Sequence, residues 1–521
     1  MSASLHRPDT LPQALPPSAD SRVVQSMQRV FVLAAENRSI ALLTMSRRPQ
    51  ERWLTLLFLL SLALLNPWVR GDGVGYYAFA RAPLIEHSLD FERDYVSANQ
   101  GFRELRLDEH GRPKSIFRTS TGHLENHFTV GPAMLWAPFL LPTHGVVLLA
   151  RALGSRVPAD GFSAPYRMAM ALGTAFWAFL GLLLAFRVAR QYAGDLWALF
   201  ATVAIWWASS LPLYMYFNPS WSHAHSAFAV ALFVWYWHET REHRSLRQRC
   251  LLALIAGLML NVYYANAMLL VVVLVEGVRA YVAALREPES RAILARIFVH
   301  HLLFAAIVSL CLLPTFVSRY IVYGDPFATG YGSVAHWDWR SPYFLAVLFS
   351  SEHGLFSWTP ILLLATAGLV LFRWREPRVG TPLLAAALAF YVFIACYPDW
   401  AGISSFGNRF FISLTSLFIL GLSVFLARVA TLFRSQRAAA VLLSVVLTLF
   451  VVWNGAFMFQ WGEHLIPPRG PISWSTMIRN QFTVVPRQLA AHLENYLLHR
   501  HDAMRQIEDR DIELLKHQPA E

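Results

Sequence analysis

Charge is what this sequence has least of. Asp, Glu, Lys and Arg make up 15% of its 521 residues, where soluble domains carry about 25%. So few charges cannot cover a water-facing surface. Cysteine is rarer still: Cys250, Cys311 and Cys396 all lie in or beside apolar stretches, so no disulfide framework is implied. The chain has no phosphate-cradling loop of the Walker type, no G-x-S-x-G elbow and no H-E-x-x-H helix, so neither an ATP-driven pump nor a zinc protease is supported. The apolar interiors are nearly free of ionisable residues, with Glu276 standing at a helix end. An ion-coupled transporter usually carries charges near the midplane, so that reading loses weight.

Apolar sequence is there in abundance. The chain is 55% hydrophobic, with a mean hydropathy of +0.39. Many runs reach the length of roughly 17–25 residues that a helix needs to cross a bilayer. The fold class is therefore an all-α polytopic membrane protein with about eleven transmembrane helices. They are expected at 52–69, 166–186, 195–216, 224–238, 250–262, 266–278, 299–319, 355–372, 380–396, 410–427 and 438–460. The fifth and sixth are short enough to be one broken hairpin around Asn261–Asn266. Residues 1–50, rich in Pro and Ser and then weakly amphipathic, read as a partly disordered cytoplasmic leader without a cleavable signal. The stretch 131–150 holds Pro132, Pro138, Pro142 and His144 and reads as a helix lying along the membrane surface. Residues 461–521 read as a polar, helical tail.

The net charge of +11 comes mainly from arginine, and its distribution speaks for orientation rather than for nucleic acid. With the N-terminus in the cytoplasm and 131–150 not crossing, the inner connections 187–194, 239–249, 279–298, 373–379 and 428–437 hold sixteen arginines. The short outer loops 217–223, 263–265, 320–354 and 397–409 hold two, Arg340 and Arg409. Cytoplasmic loops are the ones that carry such an excess. A crossing at 131–150 would invert every later loop and break the rule throughout.

On that topology the unusual polar clusters all fall on the outer side, within 70–130, 218–225, 323–332, 351–358 and 397–409. One-sided clustering points to a site assembled from several loops. Asp72, in Gly71-Asp-Gly-Val-Gly-Tyr-Tyr77, follows the first crossing. It reads either as a general base beside Tyr76 and Tyr77 or as a helix-end acid. Asp90 and Asp94 are four apart, with a solvated helix face as the plainer account. Glu125 and His127 stand before an apolar helix and suit either a phosphate, sugar hydroxyls or an interface anchor. His223 and His225 diverge on a helix and lack a third ligand nearby, so a metal is weakly supported; a substrate contact and a structural helix entry both stay open. Glu352 and His353 lie where an acid is costly unless it faces water or substrate, or else satisfy each other. Arg409 opens a span and suits phosphate recognition or a lipid-headgroup anchor.

These stretches resemble the GT-C membrane glycosyltransferases, the class that includes protein O-mannosyltransferases and aminoarabinose transferases. The likeness covers roughly residues 50–460. It rests on a first span followed by a long outer loop opening with an acid (Asp72), on Gly131-Pro-Ala-Met-Leu-Trp-Ala-Pro138, on Pro165-Tyr-Arg167, on His353-Gly-Leu-Phe-Ser-Trp-Thr-Pro360 and on Ser405-Phe-Gly-Asn-Arg409. The resemblance implies transfer of a sugar, with inversion, from a polyprenyl-phosphate-linked donor to an envelope acceptor on the outer face of a bacterial inner membrane. It gives Asp72 the role of base and demands no metal or other cofactor. Several members carry adjacent acids in the first loop, whereas glycines flank Asp72; a second acid would come from Asp90, Asp94, Glu125 or Glu352. The competing classes are a lipid-linked saccharide flippase or transporter and a polysaccharide polymerase or ligase.

Overall fold

The computed structural model describes residues 48–330, 334–467 and 470–516. The expected leader falls outside the described residues except at its end. Residues 48–53 belong to a separate N-terminal unit, and Leu54–Glu521 form the compact body. The long helices are α1 (Pro49–Ser61), α2 (Asp72–Ile85), α3 (Gly131–Ala152), α4 (Ala164–Trp207), α5 (His223–Thr240), α6 (Leu246–Val262), α7 (Val271–Ala284), α8 (Ser290–Cys311) and α9 (Leu313–Tyr323). They continue as α10 (Ile361–Arg375), α11 (Pro377–Ala395), α12 (Thr415–Ala430), α13 (Gln436–Gly462), α14 (Trp474–Thr483), α15 (Val485–Leu498) and α16 (Arg500–Lys516). Among the described residues the only β-pairing is a pair of isolated bridges in the first loop. Among the described residues, seven helical segments are long and apolar enough to cross a membrane. The chain is an all-α, multi-pass membrane protein.

α12, with its lead-in from Arg409, is apolar on every side and is the most enclosed of these segments. A helix without a polar face has to be surrounded, and α4 and α10 flank it. Glycine sets the closest of these approaches. A Cβ on Gly368 of α10 would lie 1.9 Å from the Gly421 carbonyl oxygen of α12. Such small-residue crossings replace the hydrophobic drive that helices lack in lipid.

Several helices stop before the hydrophobic pattern does. The span expected at 195–216 ends at Trp207, because Ser209-Ser210-Leu211-Pro212 follows and proline cannot continue the ladder. The freed carbonyls of Trp207 and Ser209 accept from Asn454 Nδ2 at 3.0 and 2.8 Å. The span expected at 299–319 breaks after Cys311, whose carbonyl takes Asn261 Nδ2 at 2.8 Å. The hairpin around 261–266 breaks too, and Asn266 Nδ2 caps the Met259 carbonyl. The expected spans at 166–186 and 195–216 are two helical runs within α4, separated at Gly194, whose backbone (φ 77°, ψ 167°) is not helical.

α3 is itself long and apolar enough to cross. It packs along the first half of α4 through Trp136–Thr174 (2.8 Å) and His144–Tyr166 (2.7 Å). The segment after it returns to α2, where the Tyr77 hydroxyl donates to the Gly161 carbonyl at 2.7 Å. The segment before it touches α2 as well, through Asn126 Nδ2 and the Gly75 carbonyl. Both flanks of α3 therefore meet the first loop.

The Gly421 contact yields a stability prediction. Gly421→Leu forces α10 and α12 apart and lowers unfolding free energy in detergent by about 1–3 kcal/mol or more. Gly145→Leu, whose Cβ would meet no atom within 4 Å, leaves it unchanged. Equal melting temperatures for the two variants would refute the close-packing account.

Candidate functional site

Asp72 is the first residue of α2, entered through Gly71 at φ 54°. An acid in a first helical turn faces unpaired N–H groups and is favoured there. Its glycine neighbours answer to packing. A Cβ on Gly73 would lie 1.9 Å from Ser220 Oγ, and one on Gly75 2.2 Å from the Phe128 ring. The first turn of α2 is thus pressed between the 218–222 turn and the 126–129 segment. Trp221 Nε1 bonds the Arg70 carbonyl at 2.9 Å and fixes the entry.

Arg409, 337 residues further on, donates from Nη1 to Asp72 Oδ2 at 2.7 Å. It stands where the 397–408 loop turns into the helix leading to α12. Its guanidinium lies 4.5 Å over the Trp221 ring, and its buried Nε has no hydrogen bond among the described residues. Asp72 is about a third exposed, at 32%, against 11% for Arg409. The acid therefore opens toward the space that both side chains line.

That space is a cavity of about 710 Å³. Of the residues singled out from sequence, Asp72, Tyr76, His127, His223 and Arg409 line it together. Five tyrosines, Tyr76, Tyr214, Tyr263, Tyr264 and Tyr397, face it. Burial raises the Tyr76 and Tyr397 hydroxyls well above the ordinary phenol range, so both stay protonated and able to donate. His223 is ringed by Tyr214, Trp221, Tyr263 and Phe410. Burial holds His127 down at about 4, with Asp72 pulling it up and Arg319 and Arg106 pushing it further down; the ring is neutral at neutral pH.

The other candidates lie off the cavity lining. Tyr77 bonds Gly161 and sets its ring edge against Trp136. His225 is buried edge-on against Trp136, with no well-formed hydrogen bond at either ring nitrogen among the described residues. The Glu125 backbone is pinned by Phe117 and by the Tyr95 hydroxyl. Glu352 and His353 do not satisfy each other with a hydrogen bond. Glu352 accepts from the Gly470 amide at 3.0 Å. His353, at φ 60°, meets Ser405 Oγ at 2.9 Å and packs on Trp358 and Trp461.

Two of the acids offered as partners for Asp72 have other work. Asp94 takes Arg81 Nε and Nη2, each at 2.6 Å, in a bidentate pair that Glu86 completes at 2.9 Å. Burial pushes the Asp94 carboxyl up to about 6, against the pull of Arg81. Asp90 caps the short helix that follows it through the Glu92 amide. The cavity instead receives Asp399, within 3.3 Å of the Tyr397 hydroxyl, and Asp511 from the tail, bonded to His464 at 2.7 Å and 3.5 Å from Arg70.

Sequence reasoning missed Arg319 because it falls at the end of an apolar run and counts as part of a span. It is 2% exposed. It donates to the carbonyls of Asn126, His127 and Phe128 at 2.6, 2.7 and 2.8 Å and to the Tyr264 hydroxyl at 2.6 Å. A lone arginine closing a long apolar run was the available signal. Among the described residues no group of three or more His, Cys, Asp or Glu side chains gathers as a metal site.

No family model and no curated protein matches this chain. Among solved structures it is similar to the oligosaccharyltransferase of Archaeoglobus fulgidus in a complex with zinc and sulfate. That match has a TM-score of 0.49 at 15% identity and covers 79% of this chain and 54% of that one. A second match is AglB, the archaeal oligosaccharyltransferase from the same organism, in complex with an inhibitory peptide and a dolichol-phosphate: TM-score 0.45 at 12% identity, covering 89% and 56%. The chain spans a little over half the length of these structures.

Proposed function

We propose that this protein is an inverting glycosyltransferase of the GT-C type. It moves a sugar from a polyprenyl-phosphate-linked donor to an acceptor on the outer face of a bacterial inner membrane, with its N-terminus in the cytoplasm. The observation that carries the reading is the Asp72–Arg409 pair, an acid and a cation side by side on a large cavity walled by tyrosines. The sixteen arginines of the opposite connections support the sidedness.

The chemistry needs two charges of opposite sign. Asp72 accepts the proton of the acceptor hydroxyl through Oδ1 while that oxygen attacks the anomeric carbon. The bond from that carbon to the phosphate oxygen breaks, and the lipid phosphate leaves with one further negative charge. Arg409, held beside Asp72 at 2.7 Å, supplies the positive charge that offsets it. Tyr76, Tyr263 and Tyr397 offer rings and hydroxyls to the sugar, and neutral His127 offers one donor and one acceptor.

Two outcomes test this. In proteoliposomes with a polyprenyl-phosphate sugar, Asp72→Asn lowers transfer by about 10²–10⁴-fold while donor binding persists. Arg409→Lys weakens both transfer and binding of polyprenyl phosphate, because a point charge replaces a planar fork. Full transfer by Asp72→Asn would end the base assignment, and lipid translocation without transfer in the wild type would favour a flippase.

A separate outcome concerns pH. An unfolded histidine titrates near 6.5, whereas folded His127 holds out to about 4. Below pH 6.5 the unfolded chain binds more protons, so stability is lost from about 6.5 down to 4 and none is lost above. The melting temperature in detergent therefore falls more between pH 7 and 5 in the wild type than in His127→Gln. Equal falls would mean that the ring is not buried neutral.

A further inference from the structure

The tail was expected to be a polar extension. Its first two helices are amphipathic, and their apolar residues face outward. On α14, Trp474, Ile478 and Phe482 recur every four residues; on α15, Leu489, Leu493 and Leu497 do the same. All six are exposed, Phe482 at 69% and Leu493 at 47%. This is the i, i+4 stripe of a surface helix with its apolar side left open.

The arrangement around α15 is three-sided. Val485, His492 and Tyr496 turn toward the body: His492 meets Glu463 at 2.7 Å, and the Tyr496 hydroxyl bonds the Leu64 carbonyl at 2.8 Å. Arg487, Gln488, Glu494 and Asn495 form the polar side. The leucine stripe lies between the two.

What covers the stripe follows from where it sits. α13 has 27 residues, about 40 Å of helix, against a hydrocarbon core of about 30 Å. Its last turns therefore reach the interface, and α14 packs on those turns. Gln481 bonds the Trp453 carbonyl at 3.0 Å, Gln460 bonds the Met477 carbonyl at 3.1 Å, and the Phe482 ring stands 6.3 Å from that of Trp453. The exposed face of α13 itself, Val441, Val445, Leu449 and Val452, leads up to Phe482. The stripe thus continues the apolar face of a membrane-spanning helix at the depth where Trp and Tyr are favoured.

We propose that α14 and α15 form an interfacial membrane anchor whose apolar stripe is buried in the outer headgroup boundary of the bilayer. The anchor holds α16, which follows directly, across the first loop. There Met504 touches Asn66, the Gln100 amide bonds Glu508, and Asp511 enters the cavity beside Arg70. The bilayer surface itself fixes one wall of the cavity mouth, whether or not a sugar is transferred inside.

Single cysteines decide the matter. In a chain carrying Cys250→Ala, Cys311→Ala and Cys396→Ala, a bimane label is placed at Phe482→Cys, Leu489→Cys, Leu493→Cys or Leu497→Cys and compared with Gln488→Cys and Glu494→Cys in proteoliposomes. Labels on the stripe are quenched by brominated lipid and shielded from iodide; the two controls show the reverse. Iodide quenching of the stripe would overturn the anchor. Shielding from both quenchers would mean that a second copy covers it, and would overturn it equally. If the labelled chains do not fold, the wild type is photolabelled with a diazirine placed near the lipid headgroup. Adducts between residues 474 and 498 are expected, and adducts confined to the transmembrane helices would sink the proposal.

Discussion

One ion pair ties this structure to its site. Asp72 opens a helix of the first loop and Arg409 opens the most enclosed helix of the bundle, and they meet at 2.7 Å. Their side chains occupy a boundary that is neither core nor water. A guanidinium held over Trp221 among aromatic rings is costly to leave without an anion, and Asp72 supplies that anion. In the reaction proposed above, a donor phosphate competes with this carboxylate for Arg409.

The first loop is held to this pair by two arginines that use opposite means. Arg81 is buried against two carboxylates, Asp94 and Glu86, and Arg93 joins Glu86 at 3.2 Å, so the loop closes as a neutralised cluster away from the cavity. Arg319 is buried against three consecutive backbone carbonyls and a phenol, and among the described residues no carboxylate pairs with it. The first arrangement removes charge from the loop. The second leaves a positive charge under the 126–128 segment, which helps to hold His127 neutral. The charge of Asp72 is thus balanced by Arg409 on contact and felt by His127 at longer range.

Sequence carried the class of fold far better than the site. Apolar length needs no tertiary knowledge, and the clusters of the first loop, of 218–225 and of 397–409 do converge on one cavity. The pairing of Asp72 with Arg409 was not legible, because nothing local to either residue names a partner 337 positions away. The breaks after Trp207 and Cys311 were only half legible. Pro212 and Pro314 mark them, but the hydrophobic pattern runs on, and the carbonyls they free are capped by asparagines from other helices. Glu352 and His353 looked like site residues because polar groups beside a span are costly. The cost is met instead by the Gly470 amide and by Ser405. Asp511 was invisible because a polar tail gives no sign of where it folds back.

Those same asparagines explain why a cavity exists at this depth. Water satisfies broken helix ends in a soluble protein; at a membrane boundary the protein must do so itself. Asn454 closes the end of α4, Asn266 caps α6 and Asn261 takes the end of α8, and all three are at most 1% exposed. With their ends sealed, these helices can stop short without exposing backbone to lipid. The segments that follow, 213–222 and 263–265 outside regular α-helix and 315–319 within α9, then furnish walls of the cavity. A bundle of full-length helices would have filled this volume with side chains. Shortened helices with amide caps leave it open, with an aspartate and an arginine facing each other on its wall.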